Sequence, residues 1–340
     1  MKNKGKVLFI LKFREDSGGQ SSHPYHFSSG LYWSAKFVVE MLTRIGVWAN
    51  LVQVVDNNDI DREVAKFKPD VVIIEALWVV PEKFDILKRL HPKVKWVVRL
   101  HSNMPFLANE GVAIKWIKGY DDRGVNVAVN DERMLKDVRG IIDEVLYLPN
   151  FYPVLNRIHK GCPDTPVLKV ACFGAIRPLK NQLIQAVAAM RYAESIGKYL
   201  DFHINGTRVE QGGNSVRENI RALFQDTNHD LIEHGWMPHG KFLDLLSFMD
   251  VGMQVSLSET FSIVAADMVS VGLPIVVSPE ISWASFISKV EPTNSSDIIQ
   301  GLRQALSFPG LNVSANRCSL KRYSRASVKQ WLKFIKSERK

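Results

Sequence analysis

A chain of 340 residues with 46% hydrophobic content can bury a sizeable core and is long enough for two domains. No apolar run reaches the roughly eighteen residues of a membrane-spanning helix, and three cysteines without metal-ligand spacing exclude a disulfide scaffold and a zinc module. The formal net charge of +9 is unevenly placed: after residue 314 the chain carries nine Lys and Arg against one acid, Glu338, and everything before that is close to neutral.

The first stretch, Met1 to Phe13, has the basic start and short apolar run of a signal peptide. It lacks a small-residue cleavage site and is broken at Lys12 and Arg14, so Lys6–Lys12 reads as a first core strand. With cysteines that suggest a reducing compartment, the expected location is cytoplasmic or peripheral to the inner face of a membrane. A long loop, Arg14 to Ser29, carries His23 and His26, and a helix follows over 30–45. Strand and helix then alternate: 48–55 with 60–67, 70–74 with 81–90, 94–100 with a helix near 108–117, and strands 124–129 and 144–148 around a helix starting near Asp131. Such alternation predicts a parallel sheet covered by helices, with ligands at the carboxyl ends of its strands.

Residues 151–166 are richer in Pro, Gly and polar side chains and read as a linker. A second alternating series follows, with strands over 167–176, 200–205, 231–236, 251–257 and 274–277. The expected organisation is an α/β chain of two Rossmann-like, doubly wound domains, 1–150 and 167–314, with a basic C-terminal helix over 315–340. No glycine-rich Rossmann or Walker pattern follows the first strand, which disfavours nicotinamide and ATP chemistry. Asp59-Ile60-Asp61 has the form of a metal-binding D-x-D but opens a helix after a polar turn, and reads as helix capping.

The most informative stretch is Val251 to Ser278. An apolar strand ends at the polar turn Ser258-Glu259-Thr260, a short helix stops at Gly272, and a second strand follows Pro274. Asp267 lies eight residues after Glu259, about two helical turns along. Two hydroxyl-accepting carboxylates flank a helix N-terminus, which favours an anion. That combination describes a sugar, a diphosphate and a ribose in a row.

Glu259…Asp267, with Gly272 and Pro274, resembles the E-x7-E signature of retaining glycosyltransferases of the two-domain GT-B fold, family 4-like in type. Phe173-Gly174-Ala175-Ile176-Arg177-Pro178-Leu179-Lys180-Asn181 is similar to that family's G-R-x-x-x-x-K-N segment, shortened before the lysine, and Leu148-Pro149-Asn150 to the close of its first domain. Asp267 departs from the usual Glu, and Phe151 from a glycine. The resemblance implies two sheets facing across a cleft and a nucleotide-diphosphate sugar donor, a UDP-sugar foremost, used without a metal or other cofactor. It further implies that Gly174, Arg177 and Lys180 meet the diphosphate and that Glu259 holds the donor sugar. Phe261, Ser262 and Ile263 would turn backbone N–H groups to phosphate, Asp267 would take the ribose, and Met237 would face the base. His101, after the strand ending at Leu100, matches the family histidine that reaches the donor sugar. His23, His26 and Trp78 are acceptor-side candidates.

In the tail, Val328, Trp331, Leu332 and Ile335 form one apolar stripe at helical spacing. The resemblance explains it as a last helix packing back on the first domain. Its cations imply an anionic partner, a membrane surface or DNA. The expected reaction is sugar transfer to a hydroxyl of a cell-surface or lipid-linked glycan, or of a hydroxymethylated base as in phage-type DNA glycosyltransferases. Two further readings stay open: a nucleotide-sugar epimerase on the same fold, and a non-catalytic nucleic-acid-binding protein.

Overall fold

The computed structural model describes residues 5–13, 30–155, 159–161 and 165–337; His23 and His26 lie outside the described residues. The chain divides into two compact units, residues 1–153 with 323–340, and 154–322.

The first unit runs β1 (Lys6–Lys12), α1 (Gly30–Arg44), β2 (Trp48–Val54), α2 (Asp59–Phe67), β3 (Val71–Glu75), α3 (Lys83–Leu90), β4 (Lys95–Leu100), α4 (Met104–Leu107), α5 (Ala113–Asp121), β5 (Asn126–Val129), α6 (Glu132–Arg139) and β6 (Val145–Tyr147). Its six strands are parallel, in the order β2-β1-β3-β4-β5-β6. Both faces are covered, which is why β1 and β3 read as unbroken apolar runs rather than alternating ones. Leu8, Ile10, Val72 and Ile74 enter one core, and Val7, Phe9, Val71 and Ile73 the other. The helix expected near 108–117 is α5, which starts later, after a turn that contains Gly111, and the short α4 precedes the expected span. Asp59 does not cap α2 as expected: Asn58 holds that position, and Asp59 Oδ2 accepts instead from the N–H groups of Val55 and Asp56, at 3.2 and 3.4 Å.

The second unit runs β7 (Val167–Ala171), a 3₁₀ turn (Pro178–Lys180), α7 (Gln182–Ser195), β8 (Tyr199–Ile204), α8 (Gly213–Phe224), β9 (Asp230–Glu233), α9 (His239–Leu246), β10 (Val251–Gln254), α10 (Ile263–Val271), β11 (Ile275–Val277), a second 3₁₀ turn (Phe286–Ser288) and α11 (Ser295–Ser307). Its five parallel strands lie in the order β11-β10-β7-β8-β9. Strands β7 and β10 stop short of the expected 176 and 257. At Gly174 the chain takes φ +122°, which an L side chain rarely adopts, and after Gln254 it leaves the sheet for the loop that carries Glu259.

The last helix, α12 (Pro309–Ser337), begins on a proline, whose fixed φ suits a first helical position. From Tyr323 onward it belongs to the first unit. There Trp331 is fully buried, donates from Nε1 to the Pro149 carbonyl at 2.8 Å, and packs with Phe334 and Ile335 against Phe9, Val38 and Leu42. The apolar stripe of the tail is therefore core. Among the described residues no helix is long and apolar enough to cross a membrane.

Candidate functional site

At the end of β7 the Gly174 N–H donates to Asn205 Oδ1, just past β8, at 2.8 Å. Ile176 then bridges to Val209, and α8 begins directly beneath: a methyl group on Gly213 would stand 2.0 Å from the Ile176 carbonyl oxygen. The turn Pro178–Lys180 closes on Asn181, held at φ 62°. The Asn181 amide donates to the carbonyls of Val255 and Pro292, at 3.0 and 2.8 Å, and the Leu257 N–H donates back to the Leu179 carbonyl at 2.9 Å. These bonds lay the turn against the segment leaving β10.

Lys180 Nζ consequently donates to Glu259 Oε2 in an ion pair whose side chains are only 12% and 11% exposed. Burial pushes the Glu259 carboxyl up, but the Lys180 ammonium, the Arg177 guanidinium and the Thr260 N–H together outweigh it and hold the group below the ordinary carboxylate value. Arg177 itself pairs with Glu210 at 3.4 Å. Gln254, buried at the end of β10, donates to the Phe173 carbonyl at 2.7 Å and accepts from Ser262 Oγ at 3.3 Å. One amide thus ties the glycine loop to the start of α10.

Ser262, at φ 54°, caps α10 by accepting from the Ala265 N–H at 3.3 Å. Ile263 is the first residue of that helix, and the buried Phe261 carbonyl accepts from Trp283 Nε1 at 2.6 Å. At the other end Gly272 takes φ 87°, and Arg317 donates to the carbonyls of Val269 and Ser270, both at 3.1 Å. One of the tail cations is thereby a helix cap. Asp267 is 2% exposed, and its Oδ1 lies 2.8 Å from Nε2 of His239, the first residue of α9. Met237 is half-buried in the connection from β9 to α9.

Sequence reasoning missed His239 and Gln254. The signal for Gln254 was a lone polar residue in an apolar strand; for His239 there was only a helix start after Pro238. A second feature escaped it. His203 Nδ1 and His234 Nε2 are 2.8 Å apart with their rings stacked, and burial, then His234 and Lys169, push the His203 imidazole down to about 4.

In the first unit, Glu75 and Arg99 are register partners at the ends of β3 and β4, both fully buried. Arg99 Nη1 donates to both Glu75 oxygens at 3.1 Å, Nε to the Leu148 carbonyl at 2.8 Å, and Nη2 to Asn150 Oδ1 at 2.5 Å. His101 Nε2 bonds the same Glu75 carboxylate, and its Nδ1 lies 3.4 Å from the Asn130 amide nitrogen. Burial and the Arg99 charge depress the His101 imidazole despite Glu75, so the ring is neutral near pH 7. Burial raises the Glu75 carboxyl, but Arg99 and His101 outweigh that and keep it ionised. Trp78 is half-buried and donates to the Glu75 carbonyl at 3.0 Å, which sets it beside this network.

The structure therefore gathers Gly174, Arg177, Lys180, Glu259, Phe261, Ser262 and Ile263 around the strand ends of the second sheet. His101 and Trp78 sit at the strand ends of the first. Among the described residues no cluster of three or more His, Cys, Asp or Glu is arranged to hold a metal.

Two parallel-sheet α/β domains of this kind match GT-B glycosyltransferase structures. OtsA in its apo form aligns over 99% of both chains at 11% identity and a TM-score of 0.68. A trehalose-6-phosphate structure from E. coli bound with UDP-2-fluoro glucose aligns over 98% of both, at 11% identity and 0.65. Anabaena HepE in complex with UDP-glucose aligns over 98% of this chain and 99% of its own, at 11% identity and 0.63. Against the GtfA/B complex, at 12% identity and 0.56, the chain spans 60% of the partner's length. No protein-family profile and no curated protein sequence matches the chain. At these identities the fold is what the comparisons share with this protein.

Proposed function

We propose that the protein is a retaining glycosyltransferase that moves a sugar from a UDP-sugar or related nucleotide-diphosphate sugar to an acceptor hydroxyl. The observation that carries this reading is the buried Lys180–Glu259 pair, with Arg177 acting on the same carboxylate, at the strand ends of the second sheet. An arriving diphosphate competes with Glu259 for the Lys180 ammonium. Glu259, kept ionised, is then available to accept hydrogen bonds from the donor sugar. Arg177 takes the diphosphate through its guanidinium fork.

In the reaction the bond between the anomeric carbon and the diphosphate oxygen breaks, and a bond from that carbon to the acceptor oxygen forms on the same face. The acceptor proton passes to the departing diphosphate. Charge grows on that leaving group, and Arg177, Lys180 and the N-terminal N–H groups of α10 stabilise it in place of a metal. Asp267 takes the ribose hydroxyls once His239 yields one of its oxygens, and Met237 is assigned to the base. Structures bound with UDP-2-fluoro glucose and with UDP-glucose among the matches support the donor class. The acceptor is a glycan hydroxyl or a hydroxymethylated base.

The test is a screen of nucleotide sugars for slow release of free nucleotide. Release from one donor, lost in Lys180→Ala and Glu259→Ala proteins that remain folded, is the expected result. A correctly folded parent that neither binds nor cleaves any nucleotide sugar removes the proposal.

A further inference from the structure

Helix α12 has no acidic residue in its 29 positions. Arg325, Lys329, Lys333 and Lys336 follow one another at spacings of four, four and three, so they fall within roughly 80° of the helix circumference. All four are exposed, and among the described residues none has an ion-pair partner; Lys321 and Arg322, also exposed, precede them on the same helix. Their direction is fixed, because the opposite side is anchored in the core of the first unit by Trp331, Phe334 and Ile335. At a rise of 1.5 Å per residue the row is about 17 Å long, with a cation every 5–6 Å or so.

Like charges four apart on a helix repel, and an ordinary exposed helix relieves this with interspersed acids. Here nothing on the helix does. We propose that this face is a docking surface for nucleic acid, gripping the phosphates of a duplex along the row. The chemistry that separates this from a helix inserted in a membrane interface is on the helix itself. A helix that lies in a membrane interface sinks its apolar side into the acyl layer. On α12 that side is already buried in the protein, and among the described residues no exposed large hydrophobic side chain lies beyond Leu311. What remains outward is charge with small and polar side chains such as Ala326 and Gln330, and binding to phosphate backbone needs only charge, through counterion release. The docking surface stands independently of the sugar-transfer reading; if both hold, it presents a nucleic acid as the acceptor.

The experiment uses the full chain and a fluorescein-labelled DNA duplex of about two helical turns, followed by anisotropy between low and moderate salt, with phosphatidylcholine–phosphatidylserine vesicles as a parallel probe. The expected result is duplex binding whose log–log salt slope is about −3.6 for four phosphate contacts, with at least a tenfold loss and a shallower slope in Lys329→Glu/Lys333→Glu. Lys329→Gln/Lys333→Gln, milder and safer for folding, loses part of both. Glu259→Ala binds the duplex as the parent does, so a dead donor site and a failed docking surface are told apart. Equal binding by parent and both variants, absence of duplex binding at low salt, or binding to the vesicles with none to the duplex each overturns the proposal.

Discussion

His239 Nε2 lies 2.8 Å from Asp267 Oδ1, and both side chains are almost wholly buried. The carboxylate sits on α10, whose residues from Ala265 to Val271 are all buried, so it depends on hydrogen bonds from neighbouring side chains rather than from bulk water. His239→Ala should cost about 1–3 kcal/mol, the penalty for a buried charged group losing its hydrogen bond. His239→Gln, which keeps a donor, should recover part. Urea unfolding of the two variants checks this; equal stabilities would mean that Asp267 has another partner of equal weight.

The Lys180–Glu259 pair should behave as a unit in turnover. Lys180→Ala is expected to lose at least about a hundredfold in nucleotide release, the scale for a group that stabilises leaving-group charge, and Glu259→Ala a comparable factor through the lost hold on the donor sugar. The double variant should lose little more, because residues that act together are not additive. Steady-state rates of the three proteins decide it. Independent, multiplying losses would mean that Lys180 acts on the diphosphate and Glu259 on the sugar without either depending on the other.

Acid sensitivity follows from the histidine pair. The unfolded chain protonates His203 near the ordinary 6.5, whereas the folded chain resists until about 4, so stability must fall as pH drops through that interval. For this 7%-exposed residue the loss should reach about 3 kcal/mol once pH is below both values. His101 and His234, also depressed, act in the same direction. Glu75 and Glu259 add a further loss only below the ordinary carboxylate value of 4.5, as pH falls toward their lowered folded values. Denaturant midpoints from pH 7 to 4 should fall less steeply in His203→Leu than in the parent.

Two glycines should respond differently to a methyl group. At Gly213 the added carbon would meet backbone, the Ile176 carbonyl at 2.0 Å, and the loop carrying Arg177 would have to move. At Gly252 it would meet Met268 Sδ at 2.4 Å, the flexible part of a side chain that can rotate away. Gly213→Ala should therefore lower both thermal stability and donor binding, while Gly252→Ala lowers stability alone and by less. Melting curves with and without a nucleoside diphosphate separate the cases.

Removal of Arg99 leaves the fully buried Glu75 carboxylate without its main counter-charge. Arg99→Met should cost about 3–5 kcal/mol, and Glu75→Gln combined with it should restore much of the loss. Urea midpoints of the single and double variants test this. An unaffected single variant would mean that the remaining hydrogen bonds hold the buried carboxylate without the Arg99 charge.

Periodicity and punctuation carried most of the architecture. Strands buried on both faces read as unbroken apolar runs, as in Val71–Ile74, and helices ended where a glycine takes positive φ, as at Gly272. That Glu259, Lys180 and Arg177 lie past the strand ends of the second sheet was legible because charged residues stood just beyond apolar strands. Strand ends were overrun at Ile176 and Leu257, since apolar character continues past the last ladder bond and only the positions of Gly174 and Gln254 show where the chain departs.

By itself, then, the sequence determined the alternation of strand and helix, the two-part α/β plan and the cationic, acid-poor character of the last helix, because these depend on spacing along the chain. Which charges meet was decided only by tertiary structure. Lys180 finds Glu259 across 79 positions, His239 finds Asp267 across 28, and Arg99 finds Asn150 across 51. No local pattern encodes such pairs; the register of parallel strands and the bonds that pin each connecting loop bring them within reach.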